Sequence, residues 1–357
     1  MWFLIGRRKS ESLICHWSFD IYHLPFLKPE TRNPKPKTAD PKTQNSMNII
    51  SFATNESDWK QPRMGIILRE GTRDLGYRLD CEKLFAPADR PANPLAWFDM
   101  DGEWFQKARQ TSKEIVSDTS ALAQAKEKGW LVASQDAYWF APVPRPSKII
   151  CIGLNYRDHA AESNMAIPER PVIFSKFPTC VIAPGEPVVI PSQSHQVDYE
   201  AEMAVVIGRR AKNVKATRAL DYVLGYTAFN DVSARDFQFA DGQWVRGKSC
   251  DTFAPMGQSI VTTDTITDPH KLSIKLVLNG QTMQDSNTDQ LIFGVPELIE
   301  FLTESITLEP GDVIATGTPP GVGFARKPPV FLKPGDEMEV LIEGIGGLGN
   351  PVVAATE

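Results

Sequence analysis

The chain has 357 residues, of which 42% are hydrophobic and 23% are charged, so it can bury a sizeable core and is long enough for two globular units. Its formal net charge is −6, and no stripe of Lys and Arg with interleaved aromatic residues occurs, which argues against nucleic acid as a partner. No apolar segment approaches the length that spans a membrane, so a membrane partner is not expected either.

The first 46 residues differ in composition from the rest of the chain. Repeated Pro and Lys in LPFLKPETRNPKPKTADPKTQNS predict a disordered leader over 1–46. Its opening apolar stretch is too short for a secretory signal, and an excess of basic over acidic residues is the one indication of mitochondrial targeting. The alternative is a gene-model artefact with translation starting at Met47. We therefore expect a cytoplasmic protein, or a mitochondrial one if the leader is real.

The next segment, 47–145, is predicted to be a small α+β domain. From Arg63, RMGIILREGTRDLGYRLD is typical of two short strands around a glycine-containing turn. Further along, EWFQKARQTSKEIV and ALAQAKEKG favour helix. The alternating prolines of APVPRPSK at 141–148 hold the chain extended and indicate a boundary, so a second domain is predicted over 146–357.

Strand-like runs dominate the second domain, which predicts mainly β structure with sheets folded into a sandwich or roll. The pair Asn279-Gly280 is a strong hairpin signal. Only VPELIEFLTESI, near 295–306, has a convincing helical pattern among these elements. The predicted strands are KIICIG, PVIFSK, EPVVIP, EMAVVIG, VLGYTAFN, LSIKLVLNG, DVIAT and EMEVLIEG.

Two carboxylates separated by one residue, Glu200 and Glu202 in QVDYEAEMAVVIGR, lie in a strand-like run, and Asp231 ends another 29 positions later. Residues i and i+2 of a strand point to one face, and two like charges there are costly to desolvate unless a cation lies between them. The alternative is a solvated edge strand with an acidic face. Three oxygen ligands without Cys or His suit Mg²⁺, with Mn²⁺ or Ca²⁺ as substitutes, and disfavour zinc.

A histidine and a glutamate at positions i and i+3 occur in GLNYRDHAAES. On a helical turn Glu162 can orient the imidazole of His159 and leave its other nitrogen as a general base that activates water. A plain surface pair is the alternative reading of this spacing.

Three further motifs contain candidate substrate contacts. Lys248 in VRGKSC could neutralise a developing enolate or carboxylate charge, or be an exposed solvated cation. Arg235 and Gln238 in SARDFQ could hold a substrate carboxylate or carbonyl. The dense Gly and Pro of ATGTPPGVG, 315–323, predict a rigid loop whose backbone N–H groups and Thr318 could hold an anionic oxygen, with a purely structural turn as the alternative.

The cysteines are odd in number, scattered and without a C-x-x-C pair, which predicts a reducing compartment and no structural zinc. They are interpreted as buried or incidental thiols. Cys250 lies near the candidate site, but its spacing does not mark it as a nucleophile. The five are Cys15, Cys81, Cys151, Cys180 and Cys250.

Seven motifs over 148–352, taken together and in order, resemble the fumarylacetoacetate hydrolase family. They are GLNYRDHAAE, PVIFSK, DYEAEMAVVIGR, GYTAFNDVSARDFQ, VRGKSCDTFAPMG, GDVIATGTPPGVG and IEGIGGLGN. The resemblance implies a mixed β-sandwich roll that forms a homodimer, and the segment from Arg63 onward resembles the small N-terminal domain of some members.

The resemblance also implies roles for individual residues. It implies Mg²⁺ or a similar ion held by Glu200, Glu202 and Asp231. It further implies that water is activated by His159 with Glu162 and that the anionic intermediate is stabilised by Lys248. The positions that it places around the substrate are Arg235, Gln238, Lys176 and Thr318.

The function expected from these roles is metal-dependent hydrolysis of a carbon–carbon bond in a 1,3-diketone or acylpyruvate-type 2-oxo acid. The metal would chelate adjacent substrate oxygens, and water deprotonated by His159 would attack the distal carbonyl and release an enolate. The same residues could instead catalyse decarboxylation of an oxaloacetate-like acid or isomerisation of a 2-hydroxy-dienoate. A catalytically silent scaffold is disfavoured because it would have no reason to retain all of these groups.

Overall fold

Twenty strands and six α-helices are found in residues 47–55 and 61–356, the part of the chain that the computed structural model describes. The predicted disordered leader over 1–46 lies outside the described residues. The strands are β1 Asn48–Ala53, β2 Arg63–Glu70, β3 Arg73–Asp80, β4 Leu131–Ala133, β5 Tyr138–Phe140, β6 Ile149–Gly153, β7 Val172–Lys176, β8 Val181–Ile182, β9 Val188–Ile190, β10 Val197–Asp198, β11 Ala201–Ile207, β12 Val223–Asn230, β13 Ser233–Ala234, β14 Ala254–Pro255, β15 Ile260–Thr262, β16 Ser273–Leu278, β17 Gln281–Asn287, β18 Val313–Ala315, β19 Glu337–Ile342 and β20 Gly346–Ala354. The helices are α1 Glu103–Ser117, α2 Thr119–Glu127, α3 Arg157–Glu162, α4 Arg235–Ala240, α5 Val245–Lys248 and α6 Val295–Ser305.

Two large sheets hold most of these strands. Within the described ranges, the larger sheet has the order β4-β3-β2-β1-β15-β12-β11-β18-β6-β7, with β5 also paired to β1, and the smaller has the order β17-β16-β19-β20-β9. Strands β11 and β12 are buried along their whole length, and β12 packs against β19 and β20 of the smaller sheet. Residues of β16 and β19 alternate between buried and more exposed positions, as expected for a sheet with one face on the core. The predicted mainly β sandwich-like class is confirmed.

The N-terminal segment has the predicted α+β content and extends the larger sheet. Strands β2 and β3 form the predicted pair around a turn, and α1 and α2 occupy the segment predicted as helical. Strand β1 pairs with β15, so the sheet continues across the predicted boundary, and Val143 in the proline-rich joint is fully buried. The division at 145 and 146 stays a prediction.

Local sequence signals account for several elements of the second segment. Asn279 and Gly280 have φ of 51° and 80° and join β16 to β17, which is the conformation that an Asn-Gly hairpin turn requires. Helix α6 buries Val295, Leu298 and Leu302, at the spacing of an amphipathic helix. Helices α3 to α5 are too short to show such periodicity, and β20 is too rich in glycine to be predicted. Across the described residues, no helix is both long and apolar enough to cross a membrane.

Strand directions bring most of the candidate site residues to one edge of the larger sheet, whereas Lys176 lies opposite Ile149 at the start of β6 and contacts Asp231 through its side chain. Strands β6 and β18 are parallel, so both of their carboxyl ends lie at this edge. Strand β11 is antiparallel to β18 and begins there, and β12 is antiparallel to β11 and ends there. The segments at these strand ends therefore lie side by side: 154–162, 200–202, 230–231 and 316–323.

Candidate active site

The three predicted metal-ligating carboxylates lie together. Glu200 directly precedes β11, Glu202 is in that strand, and Asp231 directly follows β12. The Asp231 N–H donates to the Glu200 carbonyl at 2.9 Å, which joins the two strand ends. All three side chains are buried, and one carboxylate oxygen from each lies within 4.8 Å of the others. Buried carboxylates at this spacing can surround a single cation, unlike the solvated acidic strand considered as the alternative.

Lys248 is buried and bridges two of these carboxylates. Its Nζ lies 2.9 Å from Glu200 Oε2 and 2.8 Å from Asp231 Oδ2, and 5.0 Å from the ring centroid of Phe174. Burial lowers the pKa of Lys248, but the charges of Asp231 and Glu200 outweigh it and the net pKa is raised. The ammonium is therefore retained inside the protein, in contrast to the exposed cation considered as the alternative.

Lys176, at the end of β7, is also buried. Its Nζ donates to Asp231 Oδ1 and to the carbonyl of Val232. Asp231 thus receives hydrogen bonds from two lysines, one at each carboxylate oxygen.

Glu202 has a different environment from the other two carboxylates. It accepts a 2.7 Å hydrogen bond from the Gly317 N–H, and in residues 47–55 and 61–356 no lysine or arginine forms an ion pair with it. Burial, followed by repulsion from Asp231 and Glu200, raises the pKa of Glu202 well above its ordinary value. For Glu200, burial is outweighed by Lys248 and Arg235, and its pKa is lowered.

The charge balance of the site suits a divalent cation and an anionic ligand. When all four are ionised, as metal ligation requires of the triad, the buried carboxylates of the triad and Asp198 face three buried cations, which leaves one negative charge in excess. The cations are those of Lys176, Lys248 and Arg235. A divalent cation beside Glu202 would offset both its burial and its repulsion by the other carboxylates. An all-oxygen donor set fits Mg²⁺ or a similar hard ion, and the residues present therefore fit the implied metal.

His159 and Glu162 lie closer to the surface, on α3. Nδ1 of His159 is 3.2 Å from Glu162 Oε2, and the two side chains are 16% and 32% exposed. Both Glu162 oxygens are 3.1 Å from the Gly321 N–H, so this pair is tied to the loop after β18. The same loop holds Glu202 through Gly317, which connects the imidazole-carboxylate pair to the metal-ligating cluster.

The remaining predicted substrate contacts are bonded within the protein. Arg235 Nη2 is 2.7 Å from Glu200 Oε1, and Arg235 Nη1 donates to Gln238 Oε1 at 3.1 Å. The Thr318 hydroxyl donates to the Ala201 carbonyl at 2.9 Å and accepts from Gln284 Nε2 at 2.8 Å. These contacts fit the structural alternative for Thr318, and its role in substrate binding stays a prediction.

Three residues that organise the site were not predicted. Asn155 bonds to Thr316 and Phe293 through both ends of its amide, which ties together three loops. Gln284 bonds to Ala201, Thr318 and Pro319 from a polar strand with no distinctive signal. Asp198 bonds to Arg235, and the alternation D-x-E-x-E in DYEAE was the signal that could have identified it.

Comparisons with known proteins agree with this arrangement. Residues 148–353, more than half of the chain, match the sequence profile described as fumarylacetoacetate (FAA) hydrolase C-terminal. The chain is 50% identical over 224 residues to a Rattus norvegicus protein named oxaloacetate tautomerase Fahd2a, mitochondrial, a match that covers 62% of this chain and 72% of the relative. It is 41% identical over 310 residues to oxaloacetate tautomerase fahd2, mitochondrial, of Xenopus laevis, which covers 86% of this chain and 91% of the relative.

A solved structure gives the same result for the fold. The crystal structure of 2-hydroxyhepta-2,4-diene-1,7-dioate isomerase from Mycobacterium marinum has a TM-score of 0.63 and 32% sequence identity, covering 87% of this chain and 100% of that chain. The names of these proteins, oxaloacetate tautomerase and a 2-hydroxy-dienedioate isomerase, agree better with the alternatives of an oxaloacetate-like substrate or an isomerisation than with carbon–carbon hydrolysis. The sequence profile, the relatives and the fold together show that the chain belongs to the fumarylacetoacetate hydrolase family.

Proposed function

We propose that this protein is a divalent-metal-dependent tautomerase that interconverts the keto and enol forms of oxaloacetate or a closely related small 2-oxo dicarboxylic acid. The observation that carries the proposal is that a buried carboxylate-lysine cluster and one imidazole-carboxylate pair on α3 both accept hydrogen bonds from the loop after β18. The first can stabilise an enolate, and the second can move one proton. The relatives named oxaloacetate tautomerase support this choice of substrate.

The carboxylates Glu200, Glu202 and Asp231 would hold the cation, and we propose Mg²⁺. When bound, such an ion supplies Lewis-acid polarisation of the 2-oxo group. Lys248 adds a fixed positive charge at the same place, since its ammonium lies between Glu200 and Asp231. In a buried site of this kind, charges that are already oriented stabilise an anionic oxygen strongly.

His159 is the proposed acid-base residue. With Glu162 holding Nδ1, Nε2 takes a proton from C3 of the keto form, and the C–H electron pair becomes the C2=C3 double bond. The π pair of the C2 carbonyl moves onto its oxygen, and the proton held at Nε2 passes to that oxygen to give the enol. Substrate and product therefore contain the same atoms, and His159 returns to its starting state. This reaction uses no attacking water and breaks no carbon–carbon bond, which separates it from the hydrolysis expected from the sequence.

An assay that measures three quantities, the enol, pyruvate and carbon dioxide, tests the proposal. Purified protein is mixed with Mg²⁺ and the enol of oxaloacetate, and loss of the enol's ultraviolet absorbance is followed while pyruvate and carbon dioxide are measured. Faster loss of enol without pyruvate, abolished by EDTA and by Glu200→Gln, is the expected result. Release of carbon dioxide with pyruvate would instead establish a decarboxylase, and pyruvate from acetylpyruvate but not from oxaloacetate would establish a hydrolase.

We also propose a mitochondrial location in place of the cytoplasmic one expected first, because both tautomerase relatives are named as mitochondrial. The test is expression of the full chain with a C-terminal fluorescent protein, with a second version starting at Met47. Mitochondrial fluorescence that depends on residues 1–46 is expected. Cytoplasmic fluorescence from the full chain would contradict this proposal.

A further inference from the structure

Asp198, the last residue of β10, is fully buried and lies outside the metal-ligating triad. Its carboxylate accepts five hydrogen bonds, two from a guanidinium and three from backbone N–H groups. The donors are Arg235 Nε at 2.9 Å and Nη2 at 2.8 Å, and the N–H groups of Tyr199 at 2.8 Å, Gly323 at 2.7 Å and Phe324 at 3.0 Å. Bonds between charged partners in this geometry belong to the stronger class of protein hydrogen bonds.

The guanidinium held by Asp198 also contacts a metal-ligating carboxylate. Nη2 of Arg235 lies 2.8 Å from Asp198 Oδ2 and 2.7 Å from Glu200 Oε1, so one nitrogen is shared between two acids. Strand pairing sets this arrangement, because Asp198 lies opposite Ser233 in the β10-β13 pair and Arg235 follows two residues later. Without the negative charge of Asp198, the guanidinium would be attracted to Glu200 alone and would compete there with a bound cation.

Asp198 also attaches the loop after β18 to the helix that contains Arg235. A Cβ on Gly323 would lie 2.6 Å from Asp198 Oδ1, so the approach of this loop depends on glycine. The next residue, Phe324, places its ring 5.0 Å from that of Phe239 on α4. One carboxylate thus connects β10, α4 and the loop that holds Glu202 and Glu162.

From these contacts we infer that Asp198 is a positioning residue for the metal centre: it retains Arg235 and the Gly323-Phe324 backbone so that Glu200 stays available to a divalent cation. The inference rests on the proposed metal centre. It holds that Asp198 raises the affinity of that centre for a cation without touching the ion. Partners of metal ligands typically change metal affinity by 10- to 100-fold when they are removed.

The test is Mn²⁺ titration of the purified protein by calorimetry, with thermal unfolding to establish that each variant is folded. Asp198→Asn is expected to bind Mn²⁺ on the order of 10- to 100-fold more weakly. The double variant Asp198→Asn with Arg235→Met is expected to recover the wild-type dissociation constant to within about threefold, since the competing guanidinium is gone. Asp241→Asn, which breaks the exposed pair of Asp241 with Arg246, is the matched control and is expected to bind like the wild type.

Recovery in the double variant is a result that loss of structure alone would not produce. Wild-type affinity in Asp198→Asn, or a double variant as weak as the single one, would overturn the inference. If Asp198→Asn does not fold, the double variant decides alone, because weak Mn²⁺ binding by a folded double variant would also overturn it. Wild-type protein that binds Mn²⁺ but does not convert oxaloacetate would contradict only the proposed function, whereas a wild type that binds no Mn²⁺ would overturn both.

Discussion

Of the three carboxylates of the triad, Glu202 has the fewest favourable contacts to offset the cost of burying its charge. It receives one backbone hydrogen bond, while Glu200 and Asp231 each form ion pairs. We expect Glu202→Gln to weaken Mn²⁺ binding at least about tenfold. It should also raise the free energy of unfolding of the metal-free protein by on the order of 1 kcal/mol, because an amide of the same shape carries no charge into the core.

Calorimetric titration and denaturant unfolding measure these two opposite effects of Glu202→Gln. Glu186→Gln is the control, since Glu186 lies outside the site, is half-buried and, like Glu202, accepts a backbone hydrogen bond. If Glu202→Gln instead lowers the free energy of unfolding of the metal-free protein, the buried charge of Glu202 does not destabilise the fold.

His159 is expected to affect turnover without affecting metal binding. His159→Asn should lower the rate of enol loss by roughly 10²- to 10⁴-fold, the range of general acid-base catalysis, because the amide cannot carry the proton. Its Mn²⁺ affinity should stay near the wild-type value, since the imidazole is bonded to Glu162 and not to the buried carboxylates. His195→Asn, at an exposed histidine, is the matched control. Undiminished turnover in His159→Asn would remove His159 from the mechanism.

At the scale of elements, the loop after β18 is the part of the site that depends most on glycine. Gly317 has φ of 99°, its N–H donates to Glu202, and a Cβ there would lie 2.7 Å from the Asn155 Cβ. Gly335 has a similar φ of 94° but no atom within 4 Å of its Cβ position. Comparing the two positions therefore separates steric crowding from backbone strain.

We expect Gly317→Ala to lower the free energy of unfolding by about 1–3 kcal/mol more than Gly335→Ala, because only the first forces atoms into a packed site. Urea denaturation of the two variants measures this difference. Equal losses would mean that the loop shifts to accept the added methyl group, which would contradict a sterically restricted position at Gly317.

At the scale of the whole molecule, the N-terminal segment and the second segment share one sheet. Strand β1 pairs with β15, and β15 pairs with β12, whose end precedes Asp231. A protein shortened to residues 146–357 would expose the edge of β15. We expect the full chain to unfold in one cooperative transition and the shortened protein to show no such transition, which circular dichroism on heating would detect. A sharp transition in the shortened protein would instead support two independent domains.

The homodimer implied by the family resemblance stays a prediction at the same scale. Light scattering of the full chain measures it directly, and a mass equal to one chain would contradict it.

Most of the longer strands and the candidate ligands could be predicted from local sequence. Runs such as EMAVVIG and VLGYTAFN are apolar and β-branched enough to be recognised locally, and they became β11 and β12. The spacing of Glu200 and Glu202 also predicts that their side chains point to the same face, because side chains alternate along an extended chain. Family membership followed from the order of seven motifs and required no tertiary information.

The partner of each buried charge could not be predicted from sequence and is set by how the strands pair. Asp198 and Arg235 are 37 positions apart, and Lys248 and Glu200 are 48 apart, so their contacts depend on which strands pair and in which register. The burial of Lys248 and Lys176, and the lack of an ion pair at Glu202 within the described residues, likewise come from packing around the sheet edge. Side-chain direction within a strand can be predicted from local sequence. Charge pairing and desolvation cannot, because they arise from contacts that folding forms between distant segments.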